Sequence, residues 1–257
     1  MIKIVQTSVR YKHTLNILLD FAELMLSSGA EVNRVEDSLN RLGESYGVDR
    51  MNVFVITSNM IVTMIDSEGN PYTQSRRVVS CASTDYTRLE SLNELSRSKC
   101  MGKINEEEFE ASVSELKNTK VNRHKLYIGS MIAAGSFALF FGGTVSDSIA
   151  AVFYAILICF MQEKFQKFCP NTIIFNLLSA FFVGIAICTT AVLFNLNADK
   201  IMIGDIMLMI PGIAFTNSIR NLLVGDTITG VMRLVETIIW ALALALGFVL
   251  SMMITGV

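Results

Sequence analysis

The chain has 257 residues, 52% of them hydrophobic, and a formal net charge of −2, with a mean hydropathy of +0.49. That balance, without a basic face or aromatic–basic interleaving, excludes nucleic acid as a partner. Two histidines and five scattered cysteines (Cys81, Cys100, Cys159, Cys169, Cys188) show no metal-ligand spacing, and the absence of a phosphate loop, a GxSxG elbow and an HExxH pair argues against an enzyme and against any cofactor.

Charge is unevenly placed. Residues 1–125 hold most of the Lys, Arg, Asp and Glu. From Leu126 onward the only charged residues are Asp147, Glu163, Lys164, Lys167, Asp199, Lys200, Asp205, Arg220, Asp226, Arg233 and Glu236. The pattern predicts an α-helical polytopic membrane protein of about five transmembrane helices, residues 126–257, behind an N-terminal soluble α+β domain, residues 1–125. The first residues lack an uninterrupted apolar core before a cleavage site, so no signal peptide is expected.

In chain order, Leu15, Leu18, Leu19, Ala22, Met25 and Leu26 recur at helical spacing and predict a helix over 13–28, stopped by Gly29. Val32, Val35, Leu39 and Leu42 predict a second helix ended by Gly47, with Glu31–Arg34 and Asp37–Arg41 spaced as surface pairs. The apolar and β-branched runs 52–57 and 60–66 predict adjacent strands. A turn at 67–71 leads to a more polar third strand, 72–80, suited to an edge. Helices over 84–99 and 106–117 complete the domain, the latter with Glu106, Glu107 and Glu108 in its first turn.

The membrane half predicts spans at 126–145, 147–162, 171–195, 201–219 and 234–256. Gly129, Ala133, Ala134, Gly135 and Ala138 give the first of them small-residue faces for close packing. The second, uncharged over only 15 residues, barely crosses. The fourth is interrupted by Pro211-Gly212, and beyond the break come Asn217, Ser218, Arg220, Asn221, Asp226 and Arg233. Polar groups at membrane depth are costly and usually face a bundle interior or a wet cavity. A break also frees backbone groups that can hold a substrate. Pro211, Gly212, Asn217, Arg220 and Asp226 are therefore the candidate substrate-binding residues, Arg220 by two-pronged recognition of a carboxylate. Asp205 and Glu236 are the candidates for proton coupling. Each has a plainer reading: Pro211-Gly212 as a kink, Arg220 as a snorkelling anchor, Arg233 and Glu236 as an interfacial i,i+3 pair, Asp205 as the outer end of a span.

Placing the N-terminal domain in the cytoplasm puts Lys117, Lys120, Arg123, Lys125, Lys164, Lys167, Arg220 and Arg233 inside and only Lys200 outside, which sets the expected orientation in a bacterial inner membrane. Five spans are odd and cannot form two equal inverted halves. A second copy or another membrane subunit is the expected remedy.

The segment MIPGIAFTNSIRNLLVGDTITGVMRLVE resembles the signature of the threonine/serine exporter family: a proline-glycine, an Asn, an Arg, then Gly-Asp and a further Gly. Upstream, SSGAEVNRVEDSLNRLGESYGV is similar to the family's N-terminal motif, with Gly29, Arg34, Glu36 and Gly47 at matching places. One departure is Asn221, where the family often has an acidic residue. Full-length members carry a second membrane block, so the resemblance implies the larger subunit of a split transporter working with a smaller membrane partner. It also implies export of a dicarboxylate such as succinate, or of threonine and serine. The rival expectations are a regulatory or scaffold subunit whose partner carries the path and, more weakly, a hydrolase in the N-terminal domain.

Overall fold

A computed structural model describes residues 2–56, 58–78, 85–119, 123–169 and 171–256, with side chains from residue 9 onward. The elements in order are α1 (Ile2–Ser27), α2 (Val32–Ser45), β1 (Arg50–Ile56), β2 (Asn59–Ile65), β3 (Pro71–Arg77), α3 (Tyr86–Cys100), α4 (Glu106–Asn118), α5 (Arg123–Phe140), α6 (Val145–Lys164), a short 3₁₀ turn (Gln166–Phe168), α7 (Thr172–Phe194), α8 (Ala198–Met209), α9 (Gly212–Val224) and α10 (Thr227–Thr255). They form two compact units: Met1–Val121 with Gly225–Thr229, and Asn122–Val224 with Gly230–Val257.

In the first unit, α1 and α2 break where Gly29 takes a left-handed φ of 94°, open to glycine at no steric cost. The sheet is antiparallel in the order β1-β2-β3, with Val62 opposite Val53 on one side and Gln74 on the other. Along β2, Met60, Val62 and Met64 are fully buried while Ile61 is exposed, the period-two pattern of a sheet with one covered face. Those three methionine and valine side chains join Leu15, Leu18, Phe21, Leu39, Leu42, Leu92 and Phe109 in one core. Arg76 of β3 pairs with Asp20 and with Glu23 at 3.5 Å, tying the edge strand to α1. Asn105 and Glu108 form a capping box at the start of α4.

Several boundaries differ from expectation. The first helix begins at Ile2 rather than 13, because nothing between them stops it. The third strand ends at Arg77; residues 79–80 of its expected range, the first residue of the expected helix 84–99, and Cys81 lie outside the described residues. β3 does take an edge, as its polarity suggests.

In the second unit, α6 with the following turn (Val145–Phe168), α7 and α10 are long and apolar enough to cross a membrane, and the bent pair α8 and α9 makes a fourth candidate. That is up to four candidates among the described residues, against the five expected. The difference is α5, which has 18 residues and opens with Arg123, His124 and Lys125. The span expected over 147–162 is longer than its uncharged core: α6 runs 20 residues because Thr144 and Asp147 cap it in a reciprocal box. The last helix starts at Thr227 rather than 234, so Arg233 as well as Glu236 lies inside it.

The helices of this unit meet through small residues. A Cβ on Gly204 of α8 would stand 2.7 Å from the Ala134 carbonyl oxygen of α5. One on Gly247 of α10 would stand 2.5 Å from the Leu177 carbonyl oxygen of α7, and one on Gly184 of α7 would collide with Ser251 of α10. Such approach is possible only without side chains at the crossing points.

Candidate functional site

The site is built around the break between α8 and α9. Asp147, completely buried, accepts hydrogen bonds from the backbone N–H and side-chain amide of Asn197 at 2.9 and 2.8 Å, and from the N–H and hydroxyl of Thr144 at 2.7 and 2.8 Å. This satisfied carboxylate joins the start of α6 to the entry of α8. Helix α8 then runs to Met209. Ile210 is extended (φ −65°, ψ 130°), as the residue before proline prefers. Pro211 cannot donate to the α8 ladder, but its carbonyl accepts from Phe215 N–H at 2.9 Å and so starts α9. The two axes differ by 54°. The break is thus two helices end to end, more than a kink in one.

Asp205 lies midway along α8 and is wholly buried, and both carboxylate oxygens lack a hydrogen-bond partner among the described residues. Its surroundings include the Cys159 thiol of α6, which itself interacts with Ser130 of α5. A buried carboxyl without a partner is expensive and is retained at functional positions more readily than at structural ones. Its place inside the packed helix, beside Gly204, differs from the plain reading of a residue marking a span's outer end.

The α9 residues divide by face. Ser218 and Asn221, one turn apart, are buried; Asn217 is half-buried; Arg220 is exposed. The Ser218 hydroxyl donates to the Phe215 carbonyl at 2.6 Å, and that of Thr216 to the Gly212 carbonyl at 3.0 Å. Arg220 and Asp205 therefore stand in different environments. Pro211 is half-buried and Gly212 exposed.

After Gly225, at φ 95°, Asp226 precedes α10 and accepts the Thr229 N–H at 3.3 Å, an N-capping contact. Its other oxygen, and the fully buried Thr229 hydroxyl, have no partner among the described residues. Glu236 is exposed and feels the half-buried Arg233 one turn before it.

In the first unit, Gly29 serves the α1–α2 turn and Arg34 is exposed. Glu36 accepts the Val55 N–H at 2.9 Å, so it satisfies a donor on the free edge of β1. Burial pushes the Glu36 carboxyl up, the Val55 hydrogen bond opposes this, and the charge of Asp226 adds to it.

Three buried polar residues escaped the sequence reading as site candidates: Ser218, Asn221 and Asn176, whose side-chain amide nitrogen in α7 has no partner among the described residues. The i,i+3 spacing of Ser218 and Asn221 marks a shared polar face in an apolar helix and was available as a signal. No cluster of three or more metal-ligating side chains occurs among the described residues, and the four described cysteines are free.

The family described as "Putative threonine/serine exporter" matches residues 16–255. A curated protein of Mycobacterium tuberculosis, named "Probable threonine/serine exporter", is 19% identical over 244 residues, covering 94% of this chain and 46% of that protein. The chain thus spans about half the length of the curated relative it matches. No solved structure matches the chain.

Proposed function

This chain belongs to the threonine/serine exporter family, and from that premise we propose that it is one membrane subunit of a secondary exporter of small carboxylate-bearing metabolites, working by alternating access. The substrate is a dicarboxylate such as succinate, or threonine or serine. The observation that carries the reading is the broken α8–α9 pair with an unpartnered, completely buried Asp205 in the helix that leads into the break. A helix break supplies free backbone groups at membrane depth, and a buried carboxyl there must exchange a proton or a cation when its surroundings open. Asp205 suits that coupling role better than Glu236, which is exposed. Asn217 and Arg220, with the backbone at Pro211 and Gly212, take the substrate carboxylate. Asp226 caps α10 and thereby shapes the turn that joins α9 to it.

In this reading α5 is a fifth span. Its 18 residues reach about 27 Å at the helical rise, and Arg123, His124 and Lys125 anchor it at the inner interface. The first unit then faces the cytoplasm and the second lies multi-pass in the inner-membrane lipid. A smaller membrane subunit, or a second copy, faces α8 and α9 to complete the path, in keeping with a relative about twice as long.

The test is reconstitution of the chain with its membrane partner in proteoliposomes under an imposed pH gradient, comparing succinate, threonine and serine. Arg220→Ala is expected to lose most transport of every substrate. Asp205→Asn is expected to keep exchange between the two sides but lose gradient-driven accumulation. Unchanged transport in Arg220→Ala overturns the substrate site. Unchanged transport in both variants, with loss on disrupting the first unit, establishes the scaffold reading instead.

A further inference from the structure

Helix α5 opens and α6 closes at the same end of the second unit. Arg123 of α5 pairs with Glu163 of α6, and the Tyr127 hydroxyl donates to the same carboxylate at 3.3 Å. The start of α5 and the end of α6 with its turn carry four cations, Arg123, Lys125, Lys164 and Lys167, against that single carboxylate. Glu163 is occupied by Arg123 and Tyr127. Lys164 reaches it only at 3.9 Å, and Lys167 enters no ion pair among the described residues. Helix α7 follows at once, with no acidic residue in its first turn to offset the positive end of its dipole.

The 3₁₀ turn after α6 gives these cations an apolar neighbour. Phe168 N–H donates to the Phe165 carbonyl at 3.0 Å, the bond of a turn in which residues three apart eclipse. Three sides result. Gln166 and Cys169 are half-buried, Lys164 and Lys167 are exposed, and Phe165 and Phe168 are exposed at 51 and 82%. A cationic side beside an apolar one suits the boundary between lipid and water. The apolar side continues into the helix, because the Phe165 ring meets Phe160 edge-on at 6.3 Å. Along α6, the exposed residues Phe153, Leu157, Phe160 and Lys164 recur at helical spacing on one face. From Phe153 to Lys164 that face runs about 16 Å at the helical rise, close to the roughly 15 Å of hydrocarbon in one leaflet.

A track one leaflet long that ends in a cluster of cations matches a lipid with a negative headgroup. We propose that this surface binds one anionic phospholipid. Its phosphate accepts from Lys164 and Lys167, and its acyl chains lie against Phe165 and along Phe160, Leu157 and Phe153. A zwitterionic phospholipid fits less well, because its outer ammonium meets the same cations. The site rests on the membrane placement of the second unit and not on which residues take the substrate.

The test is native mass spectrometry of the full chain in neutral detergent at low salt, titrated with phosphatidylglycerol and with phosphatidylcholine of the same acyl chains. Phosphatidylglycerol is expected to stay bound, one lipid per chain, in preference to phosphatidylcholine. Lys164→Gln together with Lys167→Gln is expected to weaken phosphatidylglycerol about thirtyfold, since a basic side chain beside an anionic headgroup is worth about fivefold. Lys200→Gln, beyond the other end of α6, is expected to change nothing. Phe160→Ala is expected to weaken both lipids alike. Equal retention of the two lipids, unchanged phosphatidylglycerol binding in the double variant, or its displacement by an equal concentration of inorganic phosphate each overturns the proposal and leaves the transport reading where it stands. A chain that stays monodisperse without detergent overturns the membrane placement itself.

Discussion

The two units fill their interiors with different mixtures of residue, and alanine beside branched aliphatics such as Val183, Ile187, Ile201 and Leu244 marks the second. The first buries Leu15, Leu18, Phe21, Met25, Leu39, Leu42, Met60, Met64, Leu92 and Phe109 completely. The second buries Ala134, Ala138, Ala151, Ala155 and Ala180, and turns Phe140, Leu193 and Phe194 outward at 79, 76 and 72% exposure. Around water, large apolar side chains gain most by leaving the solvent. In lipid that gain vanishes, and helices gain instead from close backbone approach through small residues. Buried carboxylates do not follow that division, since Asp147 of the second unit is fully hydrogen-bonded, but two of them contrast. The buried carboxylate Asp66 of the first unit sits in a complete shell of hydrogen bonds, whereas Asp205 of the second has none among the described residues.

Substitutions can break this contrast, beginning with the largest effect. Phe109→Ala, at a wholly buried ring, is expected to destabilise the first unit by about 3–5 kcal/mol, measured by denaturant unfolding followed by tyrosine fluorescence; a loss well below that would mean the ring contributes little to the core. Gly247→Leu places a large side chain where only 2.5 Å separates an added Cβ from the Leu177 carbonyl oxygen. It is expected to cost about 1–3 kcal/mol or more and to lower the thermal transition of the second unit in detergent, while the same exchange at exposed Gly129 changes little.

A third effect is set by pH. Burial pushes the Asp66 carboxyl up, but hydrogen bonds from the Asn70 N–H and side-chain amide, the Glu68 N–H and the Tyr72 hydroxyl outweigh it and hold the group below its ordinary value of 3.8. A carboxyl lowered by folding adds stability that is fully present above the unfolded value and is lost as pH falls through the folded one. Wild type should therefore lose stability below about pH 4 more steeply than Asp66→Asn; parallel acid-unfolding profiles would show that the shell is not coupled to folding. The smallest effect belongs to Arg41→Ala, which removes an exposed pair with Asp37 at 3.1 Å and should cost about 0.3–0.5 kcal/mol in the same denaturant assay; a cost above 1 kcal/mol would mean Arg41 makes a contact beyond that surface pair.

The sequence by itself determined the features that depend on neighbours along the chain. The apolar stripe from Leu15 to Leu26, the glycine stops at 29 and 47, the two apolar strands with a polar edge strand, and the broken helix at Pro211 all follow from local spacing and backbone chemistry. The two ordered motifs were sufficient to point to the exporter family. Tertiary structure decided what spacing cannot show. The span expected over 147–162 starts at Asp147 without giving it a partner, yet Asp147 caps α6 and holds Asn197 fifty residues away. For Asp205 the spacing left two readings open, proton coupling or the outer end of a span, and its complete burial in a helix packed on α5 and α6 speaks against the second. Asn217 and Asn221 look alike in sequence, and only packing puts the second in the interior. Local periodicity specifies which residues share a helix face. Whether that face meets lipid, water or another helix is set by contacts between residues far apart in the chain, and a polar side chain acquires its chemistry from that meeting.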